Sequence, residues 1–378
     1  MVSNPFIYGE EVRGTAFWNR KKEIAELMQD VRNGQNVIIF SNRRYGKTSL
    51  VKTVLDKAKK SGVLTVYVDL YPAISKDKFV DIYARAISAT LGKPSQKILE
   101  AIKKLFPKII PKLVIGAAGD TELEFDYSYR DAVKKNLGDV LQAVHHIALK
   151  QKKPACVVFD EFQEIAAYGD SEVEKQIRSA IQDHRHISYI FMGSKKHLFQ
   201  SLFHDANRPL YKSGKHFPLQ RLPLSEASHY AQLLFRQSRF SVAPDVLERI
   251  TTLGNGHPYY TQQLCHILWD QCLSRKKITS EDVDFGLAEM LGRESKAYET
   301  TLDNLSPKQK RLLTALSIEP TSEIFASGFL TRHHLGSASS IQKAFGVLVE
   351  KDIVEKINGT VVFQDPFLGV WLQQNTQG

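Results

Sequence analysis

With 378 residues, 43% of them hydrophobic, the chain has an ordinary globular composition and length for two or three domains, each with its own core. No apolar run approaches the roughly 18 to 20 residues that span a bilayer, and the opening Met1-Val-Ser-Asn-Pro5 carries no signal-peptide pattern, which argues against a membrane or secreted protein. Three scattered cysteines, Cys156, Cys265 and Cys272, exclude a disulfide framework or a C-x-x-C metal site and fit buried thiols in a cytoplasmic chain.

The apolar run Asn36 to Phe40 predicts a short strand, and the amphipathic stretch Leu50 to Lys60 predicts a helix. Between them, Ser41-Asn42-Arg43-Arg44-Tyr45-Gly46-Lys47-Thr48-Ser49 fits the Walker A pattern G-x-x-x-x-G-K-[ST], except that Ser41 stands at the first glycine. Backbone N–H groups of such a loop and the positive end of the following helix together bind an anion. Lys47 is expected to reach the β- and γ-phosphates of ATP, and the Thr48 hydroxyl to coordinate Mg²⁺. Ser41 replaces a residue whose free backbone eases the turn into the loop, so turnover is expected to be slower while binding survives on Gly46, Lys47 and Thr48.

Leu64 to Leu70 reads as a second strand and Phe79 to Leu91 as a helix. Residues 92 to 127, punctuated by Gly92, Pro94, Pro107, Pro111, Gly116 and Gly119, read as an irregular insertion. Within it, Leu105 to Ala118 is apolar but broken by Lys108 and Lys112, as in a packed or interface segment. A helix from about Tyr129 to Lys150 leads to the strand Pro154 to Asp160, whose Val157-Val-Phe-Asp160-Glu161 is a Walker B pattern. Asp160 is expected to hold Mg²⁺, and Glu161 to orient and activate the attacking water. The helix Glu172 to His184, the strand Ile187 to Ser194 and a last strand at His216 to Leu222 complete the alternation. The expected fold is therefore α/β, a doubly wound parallel sheet of the P-loop NTPase type. A strand between the Walker A and Walker B strands, with a glutamate beside the Mg²⁺ aspartate, is the plan of the division that uses a catalytic glutamate (ASCE).

From Ser225 to about Arg293 the pattern is helical, with Thr279-Ser-Glu-Asp282 as a helix start, and predicts a small lid. The polar segment Gly292 to Asn304 reads as a hinge. Helices follow at Ser306 to Ser317, around Phe329 to Leu335 and at Ser337 to Lys351. Then Ile353 to Phe363 reads as a hairpin turning at Asn358-Gly359, so the end of the chain is expected to be a winged helix. The expected domains are an ATPase core at 1–224, a lid at 225–300 and a winged helix at 301–378.

The net charge of +10 is uneven. From Asp303 onward the basic and acidic residues balance, so the excess belongs to the first 302 residues. One basic patch lies between Gly193 and Arg221, where Lys195, Lys196, Arg208, Lys212, Lys215 and Arg221 face Asp205 alone. Such a patch attracts nucleotide phosphates and nucleic acid alike.

Four segments resemble the archaeal-type ATPase family, relatives of the AAA+ and STAND ATPases. They are Asn4-Pro5-Phe6 with Phe17-Trp-Asn-Arg20 and Glu23-Ile24, the loop Arg43 to Leu50, Phe159-Asp160-Glu161-Phe162-Gln163, and Gly256-His257-Pro258-Tyr259-Tyr260. The resemblance spans roughly residues 4 to 300. It implies an AAA+-like core, with Ser194 at the sensor-1 position touching the γ-phosphate or attacking water. It also implies His257 near the β-phosphate and Pro258 against the base. Where the family often carries a Gly-Arg pair, this chain reads Tyr211-Lys-Ser-Gly-Lys-His216; Lys215 and Arg221 are the alternative cations, though a solvated basic face is the role each fits better.

The resemblance thus implies an Mg²⁺-dependent ATPase acting as a nucleotide-driven switch, cycling between ATP and ADP, with the winged helix as output. The alternative is an ATP-dependent DNA-binding or loading factor in which slow hydrolysis resets the bound state. Ser337 to Lys343 could present Ser and Gln side chains to bases, with Arg332, His333 and His334 just before it, yet the domain is neutral, and DNA binding usually needs a basic footprint. A protein partner or self-association is expected at least equally, and no membrane.

Overall fold

The computed structural model describes residues 3–12, 17, 20–93, 95–106, 110–115, 121–126, 133–194 and 196–376. Trp18, Asn19, Pro94, Pro107, Lys108, Gly116, Gly119, Tyr129 and Lys195, all used in the sequence reading, lie outside them. Two compact units divide the chain. One comprises Arg20–Arg43 and Lys47–Leu219, the other Met1–Asn19, Arg44–Gly46 and Gln220–Gly378.

The first unit contains, in chain order, α1 (Lys21–Arg32), β1 (Val37–Phe40), α2 (Lys47–Lys60), β2 (Leu64–Asp69), α3 (Lys76–Ala89), α4 (Gln96–Leu105), β3 (Ile110–Ile115), β4 (Thr121–Asp126), α5 (Val133–Gln151), β5 (Ala155–Asp160), α6 (Glu172–Asp183), β6 (Ile187–Gly193), α7 (Lys196–His204) and β7 (Lys215–Pro218). Five of these strands form one parallel sheet in the order β2-β5-β6-β1-β7. β5 and β6 are buried throughout, as strands covered on both faces must be, which explains their unbroken apolar runs. β6 lies between the Walker A strand β1 and the Walker B strand β5, the order expected from sequence. Ligands in such sheets bind beyond the carboxyl ends of the strands, where the loop after Phe40, Asp160 and Ser194 all fall.

The insertion at 92 to 127 is more regular than its composition suggested. Ser95 caps α4 by accepting from the Ile98 N–H at 3.4 Å, and β3 pairs antiparallel with β4 from Ile110↔Asp126 to Ile115↔Thr121. Prolines and glycines crowd this segment, Pro111 even lying within β3, and they hid the elements. The apolar stretch from Leu105 thus supplies β3, and Phe125 of β4 reaches the core with Ile102 and Phe106.

The second unit holds α8 (Leu224–Gln237), β8 (Ser241–Val242), α9 (Pro244–Leu253), α10 (Pro258–Gln271), β9 (Lys277–Ile278), α11 (Ser280–Asp303), α12 (Pro307–Ile318), α13 (Ser327–Arg332), α14 (Ala338–Glu350), β10 (Val354–Ile357), β11 (Thr360–Phe363) and α15 (Pro366–Thr376). Thr279 and Asp282 form a capping box at the start of α11, as their spacing predicted. The expected hinge at Gly292 to Asn304 is absent. Gly292 to Asp303 continue α11 without a break, and Tyr298 on the same helix is buried and donates to Asp365 Oδ2 at 2.9 Å. Asn358 and Gly359 both have positive φ, 50° and 88°, as the tight turn between β10 and β11 requires. One apolar core runs from Phe6 through α8 to α11 and on into Phe367 and Trp371 of α15.

Candidate nucleotide-binding and catalytic site

In the sheet unit, α2 buries Leu50, Val51, Val54 and Leu55, which anchors the first turn carrying Lys47 and Thr48. Lys47 Nζ donates to the Ser41 carbonyl at 3.3 Å, so the lysine lies back along its own loop, 7% exposed. Ser41 does not have a positive φ, and its side chain therefore needs no glycine-like backbone.

Thr48 Oγ1 donates to Asp160 Oδ2 at 3.2 Å, joining the ends of the Walker A and Walker B segments. The Glu161 N–H donates to Asp160 Oδ1 at 2.9 Å. Tyr67 OH also donates to Asp160 Oδ2. Burial raises the Asp160 pKa; the Tyr67 bond opposes the shift, the Glu161 charge adds to it and the Lys47 charge opposes it. Tyr67 escaped the sequence reading, which marked it only as a strand residue; β2 pairs with β5 so that Tyr67 lies opposite Val158, two residues before Asp160 and on the same face, within reach of its carboxylate.

Glu161 has left-handed backbone angles, φ 49° and ψ 41°, immediately after β5. Its Oε2 accepts from Ser194 Oγ at 2.7 Å, so the glutamate and the sensor-1 serine expected from sequence meet directly. Thr48, Asp160, Glu161 and Ser194 are therefore linked within one unit by short polar contacts, with Lys47 beside Thr48 at the start of α2. Thr48 and Asp160 offer two hard oxygens side by side, a donor set that suits Mg²⁺.

Asn42, Arg43 and Ser49 also lie in this unit, whereas Arg44, Tyr45, Gly46, His257 and Pro258 belong to the second. His257 occupies the N-cap of α10 with Pro258 at the first helical position. Gly256 has φ +65°, and a Cβ there would stand 2.2 Å from the Leu222 carbonyl oxygen, so only glycine fits. The Tyr45 ring packs edge-on against His257 at 4.8 Å, and the Arg44 guanidinium lies 4.2 Å over the Tyr259 ring. Arg221 Nε donates to Tyr45 OH at 3.0 Å and its Nη2 to Glu355 Oε1 at 2.8 Å, while Tyr45 OH donates to the same carboxylate.

Both candidate γ-phosphate cations are engaged elsewhere. Lys215 pairs with Glu26 at 2.7 Å and Asp30 at 2.8 Å, and Arg221 with Glu355. Arg208, in the same basic patch, pairs with Glu174 at 2.7 Å. Charge counting along the chain could not reveal these partners, which come from distant elements.

Residues 17–264, more than half the chain, match the model of an ATPase domain found predominantly in Archaea. The chain belongs to this ATPase family. Residues 296–374 match the model of a probable winged helix domain. No curated protein matches the chain. Among solved structures, it is similar to the Walker-type ATPase PABY2304 of Pyrococcus abyssi, with TM-score 0.66 and 14% identity over 98% of this chain and 99% of that one. It is also similar to the Aeropyrum pernix ORC2 protein in its ADPNP–ADP complexes, with TM-score 0.52 and 13% identity over 95% of each chain. At such identities the likeness establishes the fold, a P-loop ATPase sheet with a C-terminal winged helix. Family and fold together make this archaeal-type ATPase an ATP hydrolase. Among its described residues, no helix is long and apolar enough to cross a membrane.

Proposed function

We propose that this ATPase is an Mg²⁺-dependent, nucleotide-driven switch whose output is the winged helix. The observation that carries the reading is the sharing of one carboxylate, Glu355 of the winged-helix hairpin, by Arg221 and by Tyr45, two residues before the phosphate-binding Lys47. A change in the loop around a nucleotide acts directly on a hydrogen bond to the wing. Such a switch operates only if the nucleotide states differ in their contacts with the two arrangements. The division into core (1–224), lid (225–300) and winged helix (301–378) belongs to the same proposal.

In the chemical step, Lys47 binds the β- and γ-phosphates together with the loop amides of Asn42, Arg43, Arg44, Tyr45, Gly46 and Ser49. Thr48 and Asp160 would hold the Mg²⁺, which when bound offsets phosphate charge. Glu161 orients a water and accepts its proton, and Ser194 fixes the glutamate carboxylate and senses the γ-phosphate.

DNA binding as the output finds less support. Arg332 and His333, beside α14, both bond Glu319, and the exposed face of α14 offers Ser339, Gln342 and a lone basic residue, Lys343. A protein partner or self-association fits this neutral surface better.

Hydrogen exchange of residues 354–363, followed with no nucleotide, ADP or a non-hydrolysable ATP analogue, tests the switch. Exchange should differ between nucleotide states in the wild type and become insensitive to nucleotide in Glu355→Gln. Identical exchange in all states of the wild type would remove the winged helix as the output. Turnover stimulated several-fold by duplex DNA, and lost steeply with salt, would restore the DNA-loading alternative.

A further inference from the structure

The glutamate assigned to water activation has a second donor, Gln163, the last residue of the Walker B segment and one that carried no role in the sequence reading. Gln163 lies in the short 3₁₀ helix Phe162–Tyr168 and is 1% exposed. Its Nε2 donates to Glu161 Oε2 at 2.6 Å and to Glu164 Oε1 at 3.3 Å. Ser194 Oγ donates to the same Glu161 oxygen. No donor among the described residues reaches the other oxygen, Glu161 Oε1.

Two features show that the amide is held in this orientation. Reversing it would set its carbonyl oxygen against two carboxylates, an arrangement of acceptors alone. As it stands, Gln163 Oε1 is buried with no hydrogen-bond partner among the described residues, and leaving a buried acceptor unmet costs on the order of 1–3 kcal/mol. The fold accepts that cost to aim the Nε2 donor at Glu161. Gly193 makes the space: a Cβ there would stand 2.6 Å from Gln163 Oε1 and 2.2 Å from Phe199 Cδ2.

We propose that Gln163 is a positioning residue for Glu161, clamping Oε2 together with Ser194 so that Oε1 alone is presented to the attacking water. This rests on the assignment of Glu161 as the water-activating group. Charge-assisted bonds of this kind are roughly twice as strong as neutral ones, and two of them restrain a side chain that is otherwise rotationally free. The left-handed backbone of Glu161 places the carboxylate where both donors can reach it. Gln163 makes no contact with nucleotide in this scheme and acts only through Glu161.

The test is a double-mutant cycle on the full chain, with kcat and KM for ATP hydrolysis and ATP affinity by calorimetry. The variants are Gln163→Met, which keeps the volume and removes the donor, Glu161→Gln, and the pair. Gln163→Met should lower kcat about tenfold or more with ATP affinity within about twofold, and should cause no further loss in the Glu161→Gln background. Equal loss in both backgrounds, or weaker ATP binding at unchanged kcat, would make Gln163 a structural residue and overturn the proposal. An unchanged kcat in Gln163→Met beside a slowed Glu161→Gln overturns it while sparing the role of Glu161. An unslowed Glu161→Gln fails the underlying assignment instead, and the proposal with it. Should Gln163→Met not fold, Gln163→Glu, which keeps the shape but sets an acceptor against Glu161, must show the same dependence on Glu161.

Discussion

Arg221 and Glu355, 134 residues apart in sequence, form a 2.8 Å ion pair with only 7% and 12% of their side chains exposed. The same guanidinium donates to the Phe363 carbonyl at 2.6 Å. Removing Arg221 takes from the mostly buried Glu355 the guanidinium that pairs with it. Arg221→Ala should therefore lower unfolding stability by about 3 kcal/mol, read from denaturant midpoints. A loss under about 1 kcal/mol would show the pair to be solvated in practice.

Lys47→Ala should abolish ATP binding measured by calorimetry. Glu161→Gln should bind ATP as the wild type does and hydrolyse it at least roughly a hundredfold more slowly. Wild-type turnover in the glutamine variant would take Glu161 out of the chemistry.

Gly256→Ala meets two obstacles at once, a left-handed φ of +65° and a carbonyl oxygen 2.2 Å from the new carbon. A cost of at least about 2 kcal/mol is expected. Wild-type stability would mean that the turn yields freely.

Acid should weaken the sheet unit through His184. This side chain is buried, stacks on His145 at 4.8 Å between ring centres, and sits 2.7 Å from Tyr189 OH through Nδ1. Burial, and then the neighbouring His145, lower its pKa from 6.5 to about 4. The folded form thus favours the neutral ring. Its contribution is fully present above pH 6.5 and is lost as pH falls toward 4, where the unfolded chain binds the extra proton. Allowing for screening at this partly solvated cluster, the change is roughly 2 kcal/mol. His184→Gln should flatten the stability profile between pH 6.5 and 4, and an unchanged slope would place the acid sensitivity elsewhere.

Local order alone was enough to read the phosphate-binding loop, the paired carboxylates after an apolar strand, the capping box at Thr279 and the Asn358-Gly359 turn. Each depends on backbone preferences or on neighbours within a few residues, so the amino-acid sequence determines it directly. Tertiary structure alone decided that Tyr67 bonds Asp160, that Gln163 bonds Glu161, that Lys215 and Arg221 are held by carboxylates, and that 292–303 is helix instead of hinge. These outcomes depend on strand register, on side-chain direction and on burial against distant residues. A polar residue in a linear pattern carries no mark of which distant partner will take it out of water, and the packed core supplies that choice.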